Sequence, residues 1–470
     1  MILGEIADTL ARGVESTVGA VSGRFFEPVV RLGVTGLSRS GKTVFISALV
    51  ANLLNRGRMP GLSAEAEGRI GTAWLMPQPD DTVPRFDYEA HLAEMTGPEP
   101  RWPESTRGVS ELRVTFRVQA SGLLGGITGP RTVHLDIVDY PGEWLLDLGL
   151  LDLSFAQWSA QVLGRAAGRA SAAGFLAALE GAEPGSALEE VRAQALAGAF
   201  AEYLQTARAA GFSDCTPGRF LLPGDLAGSP VLTFAPLPPG DYGRSSLGRE
   251  FARRFEAYKT QVVKPFFRDH FARIDRQVVL VDALGAIAAG PAAVEDMRLA
   301  LAEILGAFRP GRNAFLTRLL MGRRVEKILF AATKADHLHH VQHGSLAAIS
   351  SALLADARAR AEFAGAETAA MAIAALRATT EDRIERDGRV LNVVRGRLVE
   401  TGRQVALYPG RLPEDPARIL APARDGAEAW LGAEYKAMDF APQALEPRPG
   451  EGLPHIRLDR AAEFLIGDRL

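Results

Sequence analysis

Gly36-Leu37-Ser38-Arg39-Ser40-Gly41-Lys42-Thr43 is a G-x-x-x-x-G-K-[ST] loop, and its flanks decide how it is read. The run before it, Val29-Val30-Arg31-Leu32-Gly33-Val34, is apolar and rich in β-branched residues. The run after it, Val44-Phe45-Ile46-Ser47-Ala48-Leu49-Val50, has helical spacing. Strand, glycine-bounded loop and helix in that order form the context in which this pattern cradles phosphates. Gly36 and Gly41 permit backbone conformations that a Cβ blocks, so successive N–H groups can turn inward at the start of the helix. Gly36, Ser38, Arg39, Ser40, Gly41 and Val44 are therefore expected to line the phosphates, with Lys42 bringing its charge to the β- and γ-phosphates. The Thr43 hydroxyl suits Mg²⁺, which keeps most of its waters and takes few protein ligands. With 48 glycines in 470 residues a chance match has to be weighed, and two further motifs set it aside.

Composition bounds the rest. A chain of 470 residues allows two or three domains, and 47% apolar content supports a full core. A net charge of −3 gives no case for a nucleic-acid partner. The single cysteine, Cys215, excludes an intrachain disulfide framework and fits a reducing compartment, so a cytoplasmic location is expected. No run reaches the roughly 18 apolar residues of a transmembrane helix. Residues 1–28 place Leu3, Ile6, Leu10, Val14, Val18, Val21 and Phe25 at helical steps, while Glu5, Asp8, Glu15 and Glu27 outnumber Arg12 and Arg24. A membrane-surface helix usually carries basic residues on its polar face. An amphipathic helix docking on the protein or a partner is therefore favoured over peripheral membrane association.

Beyond the loop, residues 57–108 carry Pro, Gly and charge without periodicity, and long loops of this kind tend to be functional. Glu111–Val118 and Arg131–Val138 follow as strands, and the Gly-rich connector 122–126 predicts an antiparallel hairpin. The second strand runs into Asp139-Tyr140-Pro141-Gly142, a D-x-x-G turn. Ligands of phosphate-binding α/β folds lie outside the carboxyl ends of the strands, which points Asp139 at the Mg²⁺ shell and the Gly142 N–H at the γ-phosphate. Residues 145–275 then break the alternation with helical patterns at 154–169, 186–210 and 246–274, each opening on a serine suited to N-capping.

Alternation resumes with Gln277-Val278-Val279-Leu280-Val281-Asp282, a strand buried on both faces by composition. Asp282-Ala283-Leu284-Gly285 is a second D-x-x-G and competes with Asp139. A helix over 294–308 and the strand 327–332 lead into Thr333-Lys334-Ala335-Asp336. The Asp336 carboxylate can accept from the N1–H and N2–H₂ edge of guanine while the Lys334 stem lies along the base and Thr333 opens the loop. Adenine lacks both donors, so it would leave the carboxylate unpaired at a cost of about 1–3 kcal/mol or more. A last strand, 371–376, puts Ala375 and Leu376 before Arg377-Ala378-Thr379, where a further base-contacting loop belongs. A terminal hairpin at 390–408 and a closing helix at 458–466 complete the chain. His337, His339, His340 and His343 cluster after the base motif, with His339 and His343 at i, i+4. That spacing can bind Zn²⁺, but without an interleaved acidic or Cys ligand a solvated helix start is favoured.

P-loop, D-x-x-G and T-K-x-D in this order, with a strand between the last two motifs, resemble the Ras-like GTPase fold. On that pattern Asp139, ending the third strand, takes the metal-side role rather than Asp282. More closely, the quoted loop, Asp139-Tyr140-Pro141-Gly142-Glu143-Trp144, Thr333-Lys334-Ala335-Asp336-His337 and Glu463-Phe464-Leu465-Ile466-Gly467-Asp468 resemble the bacterial YcjX family over nearly the whole chain. That resemblance implies a predicted ATPase or stress-related nucleotide-binding protein with a Ras-like α/β domain; the chain's own pattern adds a mostly parallel sheet and an all-α insertion. The expected layout is an N-terminal helix (1–28), the nucleotide domain in two parts (29–144 and 276–425), the insertion (145–275) and a C-terminal extension (426–470). Ras-like enzymes carry Gln after the D-x-x-G glycine to orient water; here Glu143 stands there, able to act as a base or to repel the γ-phosphate. Thr106, with Ser105 second, best matches the switch I position, a role in catalysis and at Mg²⁺. Arg101 and Arg107 read as exposed loop residues before they read as arginine fingers. The expected activity is Mg²⁺-dependent hydrolysis of GTP to GDP and phosphate, with Lys42, Glu143 and Thr106 in the chemistry and an unidentified protein partner. An ATPase of similar architecture and a non-hydrolysing nucleotide-stabilised scaffold are the alternatives.

Overall fold

The computed structural model describes residues 27–36, 40–104, 108–119, 129–306, 325–363, 365–386, 388–430, 435–446 and 448–470. The N-terminal helical pattern, the connector 122–126 and the candidate residues Ser38, Arg39, Ser105, Thr106 and Arg107 lie outside them.

A seven-stranded sheet in the order β2-β3-β4-β1-β5-β6-β7 forms the centre. Its strands are β1 (Val29–Gly36), β2 (Ile70–Met76), β3 (Ser110–Val118), β4 (Arg131–Asp139), β5 (Arg276–Val281), β6 (Lys327–Ala332) and β7 (Glu367–Ala372). β4, β1, β5, β6 and β7 run parallel, while β3 is antiparallel to β4 and β2 to β3. The hairpin read from Glu111–Val118 and Arg131–Val138 is thus present.

Burial on both faces explains the apolar runs. In β5, Val278 and Leu280 join Val30, Leu32 and Val34 of β1 in a core with Phe45, Ile46 and Leu49 of helix α1 (Lys42–Leu54). Val279 and Val281 point the other way, toward the aromatic core of the helical segment. The buried Asp136 of β4 is neutralised across the strand pair by Arg113, at 2.6 and 2.8 Å.

Between β4 and β5 the chain is helical. α2 (Gly142–Leu146) follows the D-x-x-G turn directly. α3 (Phe155–Ala167) starts at a capping box in which the Gln157 N–H donates to Ser154 Oγ and the Ser154 N–H to Gln157 Oε1. α4 (Glu190–Ala209) begins four residues later than the Ser186 expected to cap it; Ser186 Oγ instead donates to the Glu183 carbonyl at 2.7 Å. α5 (Leu247–Tyr258) is capped by Ser246 and continues through a π-helical turn, Lys259–Val263. Trp158 of α3 stacks on Phe255 of α5 with centroids 4.9 Å apart, so these helices share one aromatic core.

Three expectations need correction. Residues 70–76 form β2, the sheet edge, rather than loop: among the described residues one strand pairs with it, and Trp74 and Met76 stay exposed, so it lacks the apolar run of a central strand. β7 ends at Ala372, earlier than the apolar run 371–376 suggests, because the chain leaves the ladder to carry Ala378 toward Asp336. The hairpin β9 (Arg389–Arg397) and β10 (Gln404–Leu407) gains a third strand, β8 (Thr380–Arg386), whose charge-rich sequence conceals it.

The closing helix α8 follows α6 (Pro291–Gly306) and α7 (His343–Leu353), and spans Leu458–Ile466. Leu458, Ala461, Ala462 and Leu465 pack into the core of α1 and β1. Asp468 beyond it accepts from the buried Arg276 guanidinium at 2.7 Å, which accounts physically for the acidic end of the terminal motif.

Candidate nucleotide-binding site

The parallel neighbours β4, β1, β5 and β6 end side by side, so their following loops share one edge of the sheet. β1 delivers the P-loop there. Gly41 adopts φ 79° at the start of α1, a conformation that favours glycine, and among the described residues no side chain caps that helix end. First-turn N–H groups of a helix, with the positive end of its dipole, are suited to receiving an anion. Thr43 and Ser40 are buried, and Lys42 lies at the first helical position. A Cβ on Gly142 would clash with the Gly36 carbonyl, and one on Gly36 with Ser40 Oγ. Two motif glycines, 106 residues apart in sequence, therefore abut. Among the described residues nothing hydrogen-bonds the buried Thr35 Oγ1 or Ser40 Oγ. Buried polar atoms are normally paired, so donors and acceptors left over in a glycine-lined cradle fit a polar ligand.

Asp139 and Asp282 separate cleanly. Asp282 Oδ1 caps its own helix by accepting from the Gly285 N–H at 2.9 Å, and Oδ2 accepts from Lys334 Nζ at 2.6 Å. Asp139 is buried at the end of β4, in register with Val34 of β1, two residues before the loop. Thr43 and Asp139 carry the hydroxyl and the carboxylate that could hold a divalent cation on this side of the site.

On the base side, Lys334 takes a left-handed conformation, φ 59°, that turns the chain into Asp336. Asp336 is buried; its Oδ2 accepts from the Ala378 N–H at 2.8 Å, and Thr379 Oγ1 donates to its carbonyl. The loop expected to support base recognition thus reaches the motif through Ala378 and Thr379. Ala375 and Leu376 lie buried in the core on the α1 side, between that loop and β7.

Glu143 is the second residue of α2, with its side chain 4% exposed. Oε1 lies 2.9 Å from Arg208 Nη2 on α4, whereas Oε2 has no hydrogen-bond partner among the described residues. Neighbouring residues are clamped by the helical segment. Trp144 packs edge-on against Phe266 at 5.3 Å and lies 3.3 Å beneath the Arg219 guanidinium. Asp147 accepts from the Gly218 N–H at 2.8 Å and from the Tyr258 hydroxyl at 2.5 Å. Burial pushes the Asp147 carboxyl up to about 7, against the lowering effect of those two donors. A carboxyl raised above its unfolded value binds its proton more tightly when folded. Its contribution to stability is full below about pH 4 and is lost as pH rises toward 7. Urea unfolding at pH 5 and pH 8 is expected to show the native chain losing stability, by up to about 1.4 kcal/mol per pH unit within that window, relative to Asp147→Asn. Identical pH dependence in the two proteins would refute the assignment.

Other candidates are placed plainly. Arg101 is exposed and pairs with Glu94 at 2.7 Å. Cys215 is buried and its thiol is pushed up to about 12 by that burial, so it is unreactive. His343 is buried against the Leu338 carbonyl, and both His339 and His343 are covered rather than solvated. The acidic neighbour absent from the local sequence comes from β8, where Glu381 bonds His340 Nδ1 at 2.5 Å. Arg208 is what sequence reading missed, since nothing in its helix marks it as facing the D-x-x-G turn.

Sheet order, P-loop and the two acidic motifs at one edge define a Ras-like P-loop fold with a helical insertion after the D-x-x-G turn. The chain belongs to the YcjX-like family: the model described as YcjX-like family, DUF463, matches residues 30–470. It is 40% identical to a protein named Ras-like GTPase YcjX from Escherichia coli K12, over 97% of this chain and 99% of that one. It is 34% identical to a protein of the same name from Shewanella oneidensis, over 94% of each. Among the described residues no helix is long and apolar enough to cross a membrane.

Proposed function

We propose that this chain binds GTP and hydrolyses it to GDP and phosphate, acting in the cytoplasm as a stress-related switch whose nucleotide state is passed to an unidentified protein partner. The reading rests on one observation: the P-loop, Asp139 and the buried Asp336 share one edge of a parallel sheet. Two relatives that align with it nearly end to end carry the name Ras-like GTPase.

Backbone N–H groups from the P-loop and from Gly142, together with the Lys42 ammonium, would hold the β- and γ-phosphates and offset their charge. Thr43 and Asp139, with Thr106 in the switch I role, would hold Mg²⁺, which supplies further charge neutralisation on the phosphate oxygens. Asp336 reads the guanine edge, flanked by Thr333 and Lys334. Water attacks the γ-phosphorus while the bond to the β-phosphate oxygen breaks. Glu143 Oε2, buried and open to accept, orients that water.

Calorimetric titration of the purified chain is expected to give GTP and GDP affinities at least about 100-fold above that for ATP, since two hydrogen bonds to a charged acceptor are lost with adenine. The same sample should release phosphate from GTP. ATP binding as tight as GTP overturns the guanine assignment. Tight GTP binding without phosphate release overturns hydrolysis and leaves a nucleotide-stabilised scaffold.

A further inference from the structure

We propose that Arg208, carried by the helical insertion, is a positioning residue for hydrolysis: it holds Glu143 Oε1 so that Oε2 faces the attacking water. Turnover then depends on the insertion being seated. This rests on the hydrolysis reading above and adds to it a residue 65 positions away in sequence.

The geometry is specific. Glu143 is the residue directly after Gly142, whose backbone abuts Gly36 of the P-loop. Its carboxylate is buried, and the Arg208 guanidinium 2.9 Å away is 22% exposed. Burying a carboxylate beside a triphosphate is unfavourable twice over, through lost hydration and through repulsion. A guanidinium supplies a fixed positive charge and a rigid planar array of donors, so it both offsets the charge and sets the carboxylate plane. With Oε1 so engaged, Oε2 is the oxygen left to accept from water, and it is the one with no described partner.

The backbone is held by the same insertion. A Cβ at Gly218 would collide with the Glu143 carbonyl, so the two backbone segments touch directly. Gly218 and Tyr258 then donate to Asp147, and Arg219 covers Trp144. Glu143 is therefore held through its side chain by α4 and met at its backbone carbonyl by Gly218, while Tyr258 and Arg219 engage the residues that follow it. A shift of the insertion would release the water-orienting carboxylate without touching the P-loop or Asp336. That is how a partner binding the helices could set the rate.

The test is single-turnover GTP hydrolysis and GTP affinity for the full chain and for Glu143→Gln, Arg208→Met, Arg208→Lys and the Arg208→Met/Glu143→Gln double variant. Arg208→Met is expected to slow the chemical step at least about 30-fold with GTP affinity within about threefold of native, the split expected when only a transition-state interaction is lost. The double variant should be no slower than Glu143→Gln, because both changes remove one function. Arg208→Lys, retaining charge without the planar array, should recover part of the rate. A native rate in Arg208→Met overturns the inference. So does a multiplicative loss in the double variant, which would mean that Arg208 acts independently of Glu143. If Arg208→Met does not fold, Arg208→Lys decides: a native rate overturns the proposal and a several-fold loss supports it. A native chain that binds GTP and releases no phosphate overturns the hydrolysis reading and this inference together, whereas native turnover unaffected by Arg208 overturns this inference alone.

Discussion

Asp336→Asn is expected to lower GTP affinity about a thousandfold and to raise affinity for xanthosine triphosphate. Each hydrogen bond to a charged acceptor contributes about 1.5–3 kcal/mol, and guanine donates two; tenfold in affinity is about 1.4 kcal/mol. The structure also sets which way the new amide turns. Asp336 Oδ2 accepts from the Ala378 N–H at 2.8 Å, so the amide oxygen keeps that bond and its NH₂ faces the base. An outward donor matches the 2-carbonyl of xanthine and meets the 2-amino group of guanine donor against donor. Competition between GTP and XTP for the native and variant proteins measures the exchange. Equal preference for GTP over XTP in both would remove Asp336 from base recognition.

Lys42→Ala should weaken GTP binding about 100-fold while the protein keeps its melting temperature to within a few degrees. The ammonium is the P-loop charge assigned to the β- and γ-phosphates, and losing a charge-assisted hydrogen bond costs about 1.5–3 kcal/mol. The fold should tolerate the change. Lys42 is only partly buried, forms no ion pair with the described residues, and alanine is the best helix former for the first turn of α1. Fluorescence titration with a labelled nucleotide, alongside a melting curve, separates the two effects. Unchanged affinity in a folded variant would refute the phosphate assignment.

Legibility in the sequence followed burial. β5 and β6 are covered on both faces, so each reads as an apolar run, while β1 and α1 are legible from the glycine-bounded loop between them. β2 and β8 are illegible in the sequence because, among the described residues, each has a single neighbouring strand and keeps polar or glycine positions: Ile70-Gly71-Thr72 in one, Thr380-Glu381-Asp382-Arg383 in the other. Ser154 and Ser246 cap helices as expected because a capping hydrogen bond is local. Ser186 does not, because a neighbouring turn engages its hydroxyl first.

The sequence by itself determined the three motifs, their order and the parallel α/β frame that holds them. Those features are local: a glycine where no Cβ fits, an aspartate at a strand end, an apolar period. It also preferred Asp139 over Asp282, through chain order. Tertiary structure alone decided what surrounds those residues. The pairing of Asp282 with Lys334, the Ala378 N–H on Asp336, Glu381 beside His340, the Gly36–Gly142 contact and Arg208 on Glu143 all join residues dozens to more than a hundred positions apart. No periodicity encodes such contacts. An arginine in the last turn of α4 reads as an ordinary helix-end cation until the insertion folds back and buries a carboxylate against it.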